Sequence, residues 1–211
     1  MARVVESVSI ATSLPVTVNH RIGVYDFDSD DLLTAFVDRV ASAGASRFSV
    51  HARKAWLDGL DPKQNRTIPP LQHDRVEALK QRRPHLTIEL NGGLESPKDC
   101  LKALETCDGA MVGRAAYSHP LRWAAMDHLV FGKPARDVLA SDVVTGLLPH
   151  AAAHLSRGGR LWDLCRHLVQ LVEGVRGARH WRRELGDRAQ RPGADLTVLE
   201  EAGRQLREAG L

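Results

Sequence analysis

The sequence lacks any long run of apolar residues. No segment among its 211 residues approaches the roughly 20 consecutive apolar positions that a membrane-spanning helix needs. The first residues contain one arginine and no apolar core of the kind found in a signal peptide. We therefore expect neither a membrane span nor a signal peptide, and we expect a cytoplasmic protein.

Cysteine is also scarce, since the chain contains only Cys100, Cys107 and Cys165. Their spacing matches no metal-binding motif, and no two of them form an obvious pair. We expect reduced thiols with a structural role, as in proteins of a reducing compartment.

Positive charge is in small excess but is unevenly distributed. The net charge is +3, yet the segment from Arg157 to Arg191 contains nine arginines and only four acidic residues. A basic segment of this kind favours a polyanion as partner. An arginine-rich, solvated surface explains the same pattern equally well, so charge alone leaves both interpretations open.

Four short apolar segments occur in the first part of the chain, at 15–18, 47–52, 86–91 and 109–113. Their alternation with helical patterns predicts an α/β fold with a parallel sheet. The segments end in polar or glycine residues, and a TIM barrel carries its active site at such C-terminal strand ends. These ends are Asn19-His20-Arg21, His51-Ala52-Arg53, Asn91-Gly92-Gly93 and Gly113-Arg114.

Helix signals lie between these segments. Apolar residues recur on one face over 30–43, and a second helical pattern covers 74–83. Ser96-Pro97 has the residues of a helix start, and HPLRWAAMDHLVFG is also helical in pattern. The opening stretch MARVVESVSIATS predicts an amphipathic helix ahead of the first strand.

The pattern changes after Lys133-Pro134. No convincing strand follows, and helical patterns cover 140–156, 160–173, 177–190 and 195–209. The length suits one ordinary domain, or a small one with an appendage. We therefore predict a partial barrel domain over 1–134 and a small all-α helical domain over 135–211 that carries the arginine excess.

Two loops contain the features of a phosphate site. NGGL and MVGRAA each follow a predicted strand and precede a predicted helix. Glycines let the backbone approach an anion closely, and the free N–H groups at a helix start bind phosphate. Arg114 adds a fixed positive charge. A glycine pair after a strand is often only a turn, but two such loops one βα unit apart favour a phosphate-bearing cofactor.

Basic residues are combined with an aromatic residue at two further places. Arg53, Lys54 and Trp56 lie in a long loop that continues to Lys63 and Arg66, a composition suited to RNA. GARHWRR, at 177–183, places Arg179, Arg182 and Arg183 within one helical turn, with Trp181 beside them. An exposed loop and a salt-bridged helix face are the structural alternatives.

Five stretches resemble the tRNA-dihydrouridine synthase family, most closely its A-type subfamily. They are PVTVNHRIG, HARKAWLDGLDPKQNRTIPPL, TIELNGG, DGAMVGRAAY and GARHWRRELG, and the resemblance covers nearly all of the chain. It implies a (β/α)8 TIM barrel that holds FMN and a C-terminal helical domain that helps to bind tRNA. It also implies reduction of a D-loop uridine to 5,6-dihydrouridine with NADPH, no metal, no membrane and a monomeric protein.

The resemblance further implies two sets of site residues. The cofactor set, with the glycine loops at the FMN phosphate, is His51, Asn91, Gly92, Gly93, Gly113 and Arg114. The set that corresponds to tRNA-contacting positions is Lys63, Arg66, Arg179 and Arg182.

Two departures from the family pattern bear on activity. The catalytic cysteine of the family lies in an Asn-x-Gly-Cys-Pro loop after the fourth barrel strand, and this sequence has no such loop. The resemblance therefore assigns no catalytic residue here. Asn19 stands where the family has a lysine that reaches the reactive edge of the flavin. Because the four segments correspond to the last four family strands, we expect the C-terminal half of a barrel, from a fragment or a misassigned start.

Two other functions fit parts of the pattern. A non-catalytic RNA-binding remnant would keep the basic helical domain and would need no cofactor. A different FMN- or phosphate-binding barrel, such as a dihydroorotate-dehydrogenase-like enzyme, would explain the glycine loops, but HARKAW, PKQNR and the basic helical segment argue against it.

Overall fold

In a computed structural model of the protein, residues 1–174 and 178–211 are described. They form two compact units, Met1–Val112 and Gly113–Leu211. The predicted domain boundary at residue 134 and the division into half barrel and all-α domain stay predictions. No helix in the described ranges is both long and apolar enough to span a bilayer.

The first unit contains a four-stranded sheet in which neighbouring strands are parallel and follow chain order. The parallel α/β sheet predicted from the sequence is thereby confirmed, and it is consistent with a TIM-barrel-type domain. The strands are β1 (Val16–Arg21), β2 (Ala45–His51), β3 (Thr87–Asn91) and β4 (Gly109–Met111). β4 ends two residues earlier than predicted, because Val112 and Gly113 already lead into the next helix.

Helices connect these strands as predicted, and their starts follow local capping chemistry. The Ser29 side chain accepts a hydrogen bond from the Leu32 backbone N–H, and Ser96 and Asp99 form a reciprocal capping box. The helices are α1 (Ala2–Ala11), α2 (Asp30–Ala41), α3 (His73–Arg82) and α4 (Pro97–Ala103), with a 3₁₀ turn at Gln64–Arg66.

The two faces of the sheet differ in polarity because side chains alternate along each strand. Phe48, Val50 and Ile88 are fully buried on the helix-covered face. Ser49 and Glu89, on the opposite face, are hydrogen-bonded to each other. Near the C-terminal strand ends, the side chains that lie on this polar face are the ones that line the sheet edge.

The second unit is helical in its described part. HPLRWAAMDHLVFG is not one continuous helix: a 3₁₀ turn at Pro120–Trp123 precedes a short helix that ends at Phe131 and is followed by Gly132, which has a φ of +63°. The first residue of the predicted helix 177–190 lies outside the described residues. The helices are α5 (Arg114–Ser118), α6 (Met126–Phe131), α7 (Ala140–Ser156), α8 (Trp162–Leu168), α9 (Ala178–Ala189) and α10 (Thr197–Glu208).

Candidate cofactor site and RNA interface

The parallel register brings the predicted strand-end residues of the first unit to one edge. Arg21 pairs with His51, His51 with Asn91, and Asn91 with Met111. Asn19 lies two residues before Arg21 and therefore on the same face. The edge thus combines two amides, an imidazole and a guanidinium, as expected for the C-terminal ends of parallel strands.

Two amide side chains meet at one sulfur atom on this edge. Asn91 Nδ2 lies 2.9 Å from Met111 Sδ, and Asn19 Nδ2 lies 3.3 Å from it. A thioether sulfur is a weak acceptor, so both amides keep much of their capacity to donate to a bound polar group. Asn19 brings no charge to the edge.

The Gly92-Gly93 turn follows β3 and approaches the His51 ring closely. Gly92 has a φ of +102° and Gly93 one of +71°, values that favour glycine. A Cβ added to Gly92 would lie 3.1 Å from His51 Cε1, and one added to Gly93 would overlap the Leu71 side chain. Both the backbone conformation and the available space therefore require glycine here.

His73 holds the same turn and was not singled out from the sequence. Its Nε2 donates a hydrogen bond of 2.7 Å to the Gly92 carbonyl oxygen. His73 is the first residue of α3, so this contact ties the helix start to the turn after β3. The position of His73 two residues after the PPL stretch was the available signal, but no local pattern indicates so distant a partner.

His20 belongs to the polar cluster noted at the end of β1, but it faces away from the site edge. Its ring packs edge-on against Phe36, with ring centroids 4.9 Å apart. Nδ1 donates to the Arg21 carbonyl oxygen at 2.9 Å, and burial lowers the pKa of the imidazole. His20 is therefore a core histidine, as strand alternation requires.

Arg21 fastens the loop between β2 and α3. Its Nη1 donates to the carbonyl oxygens of Lys54 at 2.8 Å and Asn65 at 2.9 Å. Burial lowers the pKa of this guanidinium, and the nearby positive charges of Arg53 and Arg66 lower it further. The loop residues implied for RNA binding are thus held against the strand-end edge of the first unit.

The Asn65 side chain stabilises the loop by hydrogen bonds to its backbone. Its Oδ1 accepts from the Trp56 N–H at 2.8 Å, and its Nδ2 donates to the carbonyl oxygens of Trp56 at 2.5 Å and Leu60 at 3.2 Å. Asp61 Oδ1 caps the following 3₁₀ turn. This framework presents the exposed Lys63 and Arg66 at either end of the turn.

We expect Asn65→Asp to loosen the loop, because the new carboxylate keeps the acceptor but faces two carbonyl oxygens without a donor. The expected loss is about 1–3 kcal/mol of unfolding free energy. Limited trypsin digestion should cleave after Lys63 and Arg66 several times faster than in the unchanged protein. Gln81→Glu makes the same chemical change on the exposed surface of α3 and should leave the cleavage rate unaltered.

The aromatic part of the loop is only partly available to a partner. Trp56 is 37% exposed and lies edge-on to Tyr25, with ring centroids 5.8 Å apart. Lys54 Nζ lies 5.7 Å from the Trp56 ring centroid and also forms a 2.7 Å ion pair with Asp28. The Lys54 ammonium group therefore stabilises the loop through these contacts and is not an exposed cation available to RNA.

In the second unit, Arg179 and Arg182 are exposed on α9, but Trp181 is not beside them on the surface. Trp181 is 7% exposed, and its Nε1 donates to the Leu168 carbonyl oxygen at 3.1 Å. The expectation that Trp181 lies beside the arginines is wrong, because the helix period turns Trp181 into the core together with Leu185.

Gly113 and Arg114 open the second unit. Gly113 has a φ of −115°, and a Cβ placed on it would meet nothing within 4 Å among the described residues. The backbone there does not demand glycine, unlike that of Gly92. Arg114 is exposed and is the first residue of α5.

All three cysteines are buried, free thiols. Burial raises the pKa of each, and that of Cys165 to about 12. No cluster of three or more His, Cys, Asp or Glu side chains suited to a metal occurs in residues 1–174 and 178–211. The described residues thus offer no exposed thiol as an acid or nucleophile.

We expect Cys165 in the folded protein to resist alkylation by iodoacetamide at pH 8, at a rate at least about a hundredfold below that of a free cysteine. A pKa near 12 leaves little thiolate at that pH, and the core excludes the reagent. Peptide mass spectrometry measures the rate, with guanidinium-unfolded protein as the reactive control. Equal rates in both states would contradict the placement of Cys165.

The fold and edge define an α/β protein whose parallel strands end in amide, imidazole and glycine groups. The family model described as "Dihydrouridine synthase (Dus)" matches residues 1–207. The chain therefore belongs to the dihydrouridine synthase family.

Several bacterial relatives are named tRNA-dihydrouridine(20/20a) synthase. Those of Salmonella typhimurium LT2 and Escherichia coli K12 are each 44% identical over 203 residues, or 96% of this chain, and the matches cover 61% and 59% of the relatives. The Vibrio cholerae protein is 41% identical over 203 residues, with 62% of it covered. The chain thus spans about three fifths of the length of these relatives.

Proposed function

We propose that this chain serves FMN-dependent, A-type tRNA-dihydrouridine synthesis, in which a D-loop uridine is reduced to 5,6-dihydrouridine with NADPH. Membership of the family and the names of the relatives support the reaction class. FMN, once bound and reduced, supplies the hydride. A cytoplasmic location, where tRNA is modified, belongs to the same proposal.

The close approach of the Gly92-Gly93 turn to His51 is the observation that carries the cofactor proposal. Positive φ values at both glycines direct the backbone into a turn with no side chain between it and the imidazole. Successive backbone N–H groups in a glycine turn of this kind can form a concave site for an anion such as a phosphate. We assign His51, Asn91, Gly92 and Gly93 to FMN, with His73 holding the turn.

The remaining cofactor positions have weaker support. Gly113 and Arg114 follow β4 after the single residue Val112, and a guanidinium there would neutralise a phosphate. Asn19 can donate a hydrogen bond at the flavin edge, where the family has a lysine, but it provides no charge. The assignment of these three residues rests on chain position and the resemblance.

We assign RNA binding to exposed cations in both units. Lys63 and Arg66 border the 3₁₀ turn that Arg21 and Asn65 hold, while Arg179 and Arg182 lie on α9. Guanidinium and ammonium groups supply the phosphate contacts that govern affinity for nucleic acids.

A second candidate function is RNA binding without catalysis. The burial of all three cysteines favours it, because a buried thiol cannot protonate a bound uridine. In this reading the loop and α9 bind tRNA, and the sheet edge is a remnant of a cofactor site.

Incubation of the purified chain with FMN, NADPH and an unmodified tRNA transcript tests the two functions. Dihydrouridine, detected by mass spectrometry as a gain of two hydrogens, would support the reductase. Salt-sensitive tRNA binding without reduction would favour the non-catalytic function. If the folded chain neither binds tRNA nor reduces it, both functions are contradicted.

A further inference from the structure

The interior of α9 contains a glycine that the fold does not require. Gly186 has helical residues on both sides, and glycine is, after proline, the least favourable residue at such a position. A Cβ added there would meet only Gln190 Nε2, at 3.9 Å, among the described atoms. Its φ is not positive either, so neither backbone conformation nor close packing explains the glycine.

The position of Gly186 on the helix is informative. It follows Arg179 by seven residues, Arg182 by four and Arg183 by three, spacings that place all four on one helix face. The three arginine side chains are exposed. Trp181 and Leu185 are buried on the other side of α9. Gly186, itself half-buried, therefore places no side chain between these three arginine positions.

The charge of this face suits a polyanion. Guanidinium groups bind phosphate through paired hydrogen bonds, but only when the phosphate comes within reach of their planar ends. Of the acidic residues of α9, Glu184 lies off this face by helical spacing, and Asp187 borders it. The arginine face thus keeps a positive character along two helical turns.

We infer that the sugar–phosphate backbone of RNA passes over α9 at Gly186, with Arg179, Arg182 and Arg183 binding the phosphates on either side. The missing side chain lets the strand lie close to the helix, so that all three arginines reach it together. The inference rests on the proposed RNA binding by Arg179 and Arg182, and it adds Arg183 and a close-approach position.

Gly186→Ala in the full chain tests this because stability and binding should change in opposite directions. The better helix former should raise the melting temperature by about 2–4 °C. The added methyl group should weaken binding of an unmodified tRNA transcript by at least about threefold, and Gly186→Leu by about tenfold or more. Gly146→Ala, on the exposed side of α7, should raise the melting temperature but leave tRNA affinity unchanged.

Arg182→Gln, measured in parallel, separates this inference from the proposed function. If Arg182→Gln weakens tRNA binding and Gly186→Ala does not, the inferred close approach at Gly186 is wrong, but RNA binding by the arginines of α9 is supported. If neither change alters tRNA affinity, RNA binding by this face is wrong as well. Weaker binding by both variants, with unchanged binding by Gly146→Ala, supports the inference.

Discussion

Gly92→Ala should weaken FMN binding at least about tenfold while leaving the protein folded. The substitution places a methyl group 3.1 Å from His51 Cε1 and imposes a φ of +102° on a residue with a Cβ. Relief of either conflict rotates the turn or displaces the imidazole, and both belong to the proposed phosphate site. Quenching of flavin fluorescence during a titration with protein measures the change.

Gly59→Ala is the matched control for this prediction. Gly59 also has a positive φ, of +80°, but a Cβ there meets nothing within 4 Å among the described residues. Both variants should lose about 1–2 kcal/mol of stability through backbone strain. Only Gly92→Ala should lose FMN affinity; equal affinity in the two variants would show that the turn does not hold the cofactor.

Arg21→Met should both destabilise the protein and weaken tRNA binding. The change removes two charge-assisted hydrogen bonds, to the carbonyl oxygens of Lys54 and Asn65. We expect a loss of about 2–3 kcal/mol and a fall in melting temperature of about 5–10 °C. With the loop released, Lys63 and Arg66 lose their fixed position, and tRNA affinity should fall about tenfold.

Arg82→Met controls for the loss of an arginine as such. Arg82 forms ion pairs with Asp30 at 3.7 Å and Asp31 at 3.5 Å, and its side chain is 43% exposed. Exposed pairs of this kind contribute at most about 1 kcal/mol, so stability and tRNA affinity should change little. Thermal melts and filter binding should be run on both variants. Equal losses of melting temperature and tRNA affinity in Arg21→Met and Arg82→Met would contradict the role given to Arg21.

Local patterns predicted the elements of the first unit well, because each depends on nearby residues. The segment at 47–52 corresponds to β2 at Ala45–His51, and Ser96-Pro97 does begin a helix. Parallel pairing then brings His51 and Asn91 side by side without further information. The set of residues at the strand-end edge could therefore be predicted from periodicity alone.

Side chains with distant partners were harder to predict. His73 binds a carbonyl oxygen 19 residues away, and Arg21 binds carbonyls 33 and 44 residues away. No periodic pattern records such contacts, since they depend on how loops fold over the sheet. Trp181 was misplaced for a different reason: its neighbours in sequence are exposed arginines, but its neighbours by helical period are core residues.

The central claim is that the glycine-containing strand ends hold the phosphate of FMN. Parallel titrations of the purified chain with FMN and with riboflavin, which lacks only the phosphate, test it most directly. We predict saturable binding of FMN and at least about a hundredfold weaker binding of riboflavin, because charge-assisted bonds to phosphate are lost. Equal affinity for the two flavins, or no FMN binding by the folded chain, would contradict the claim.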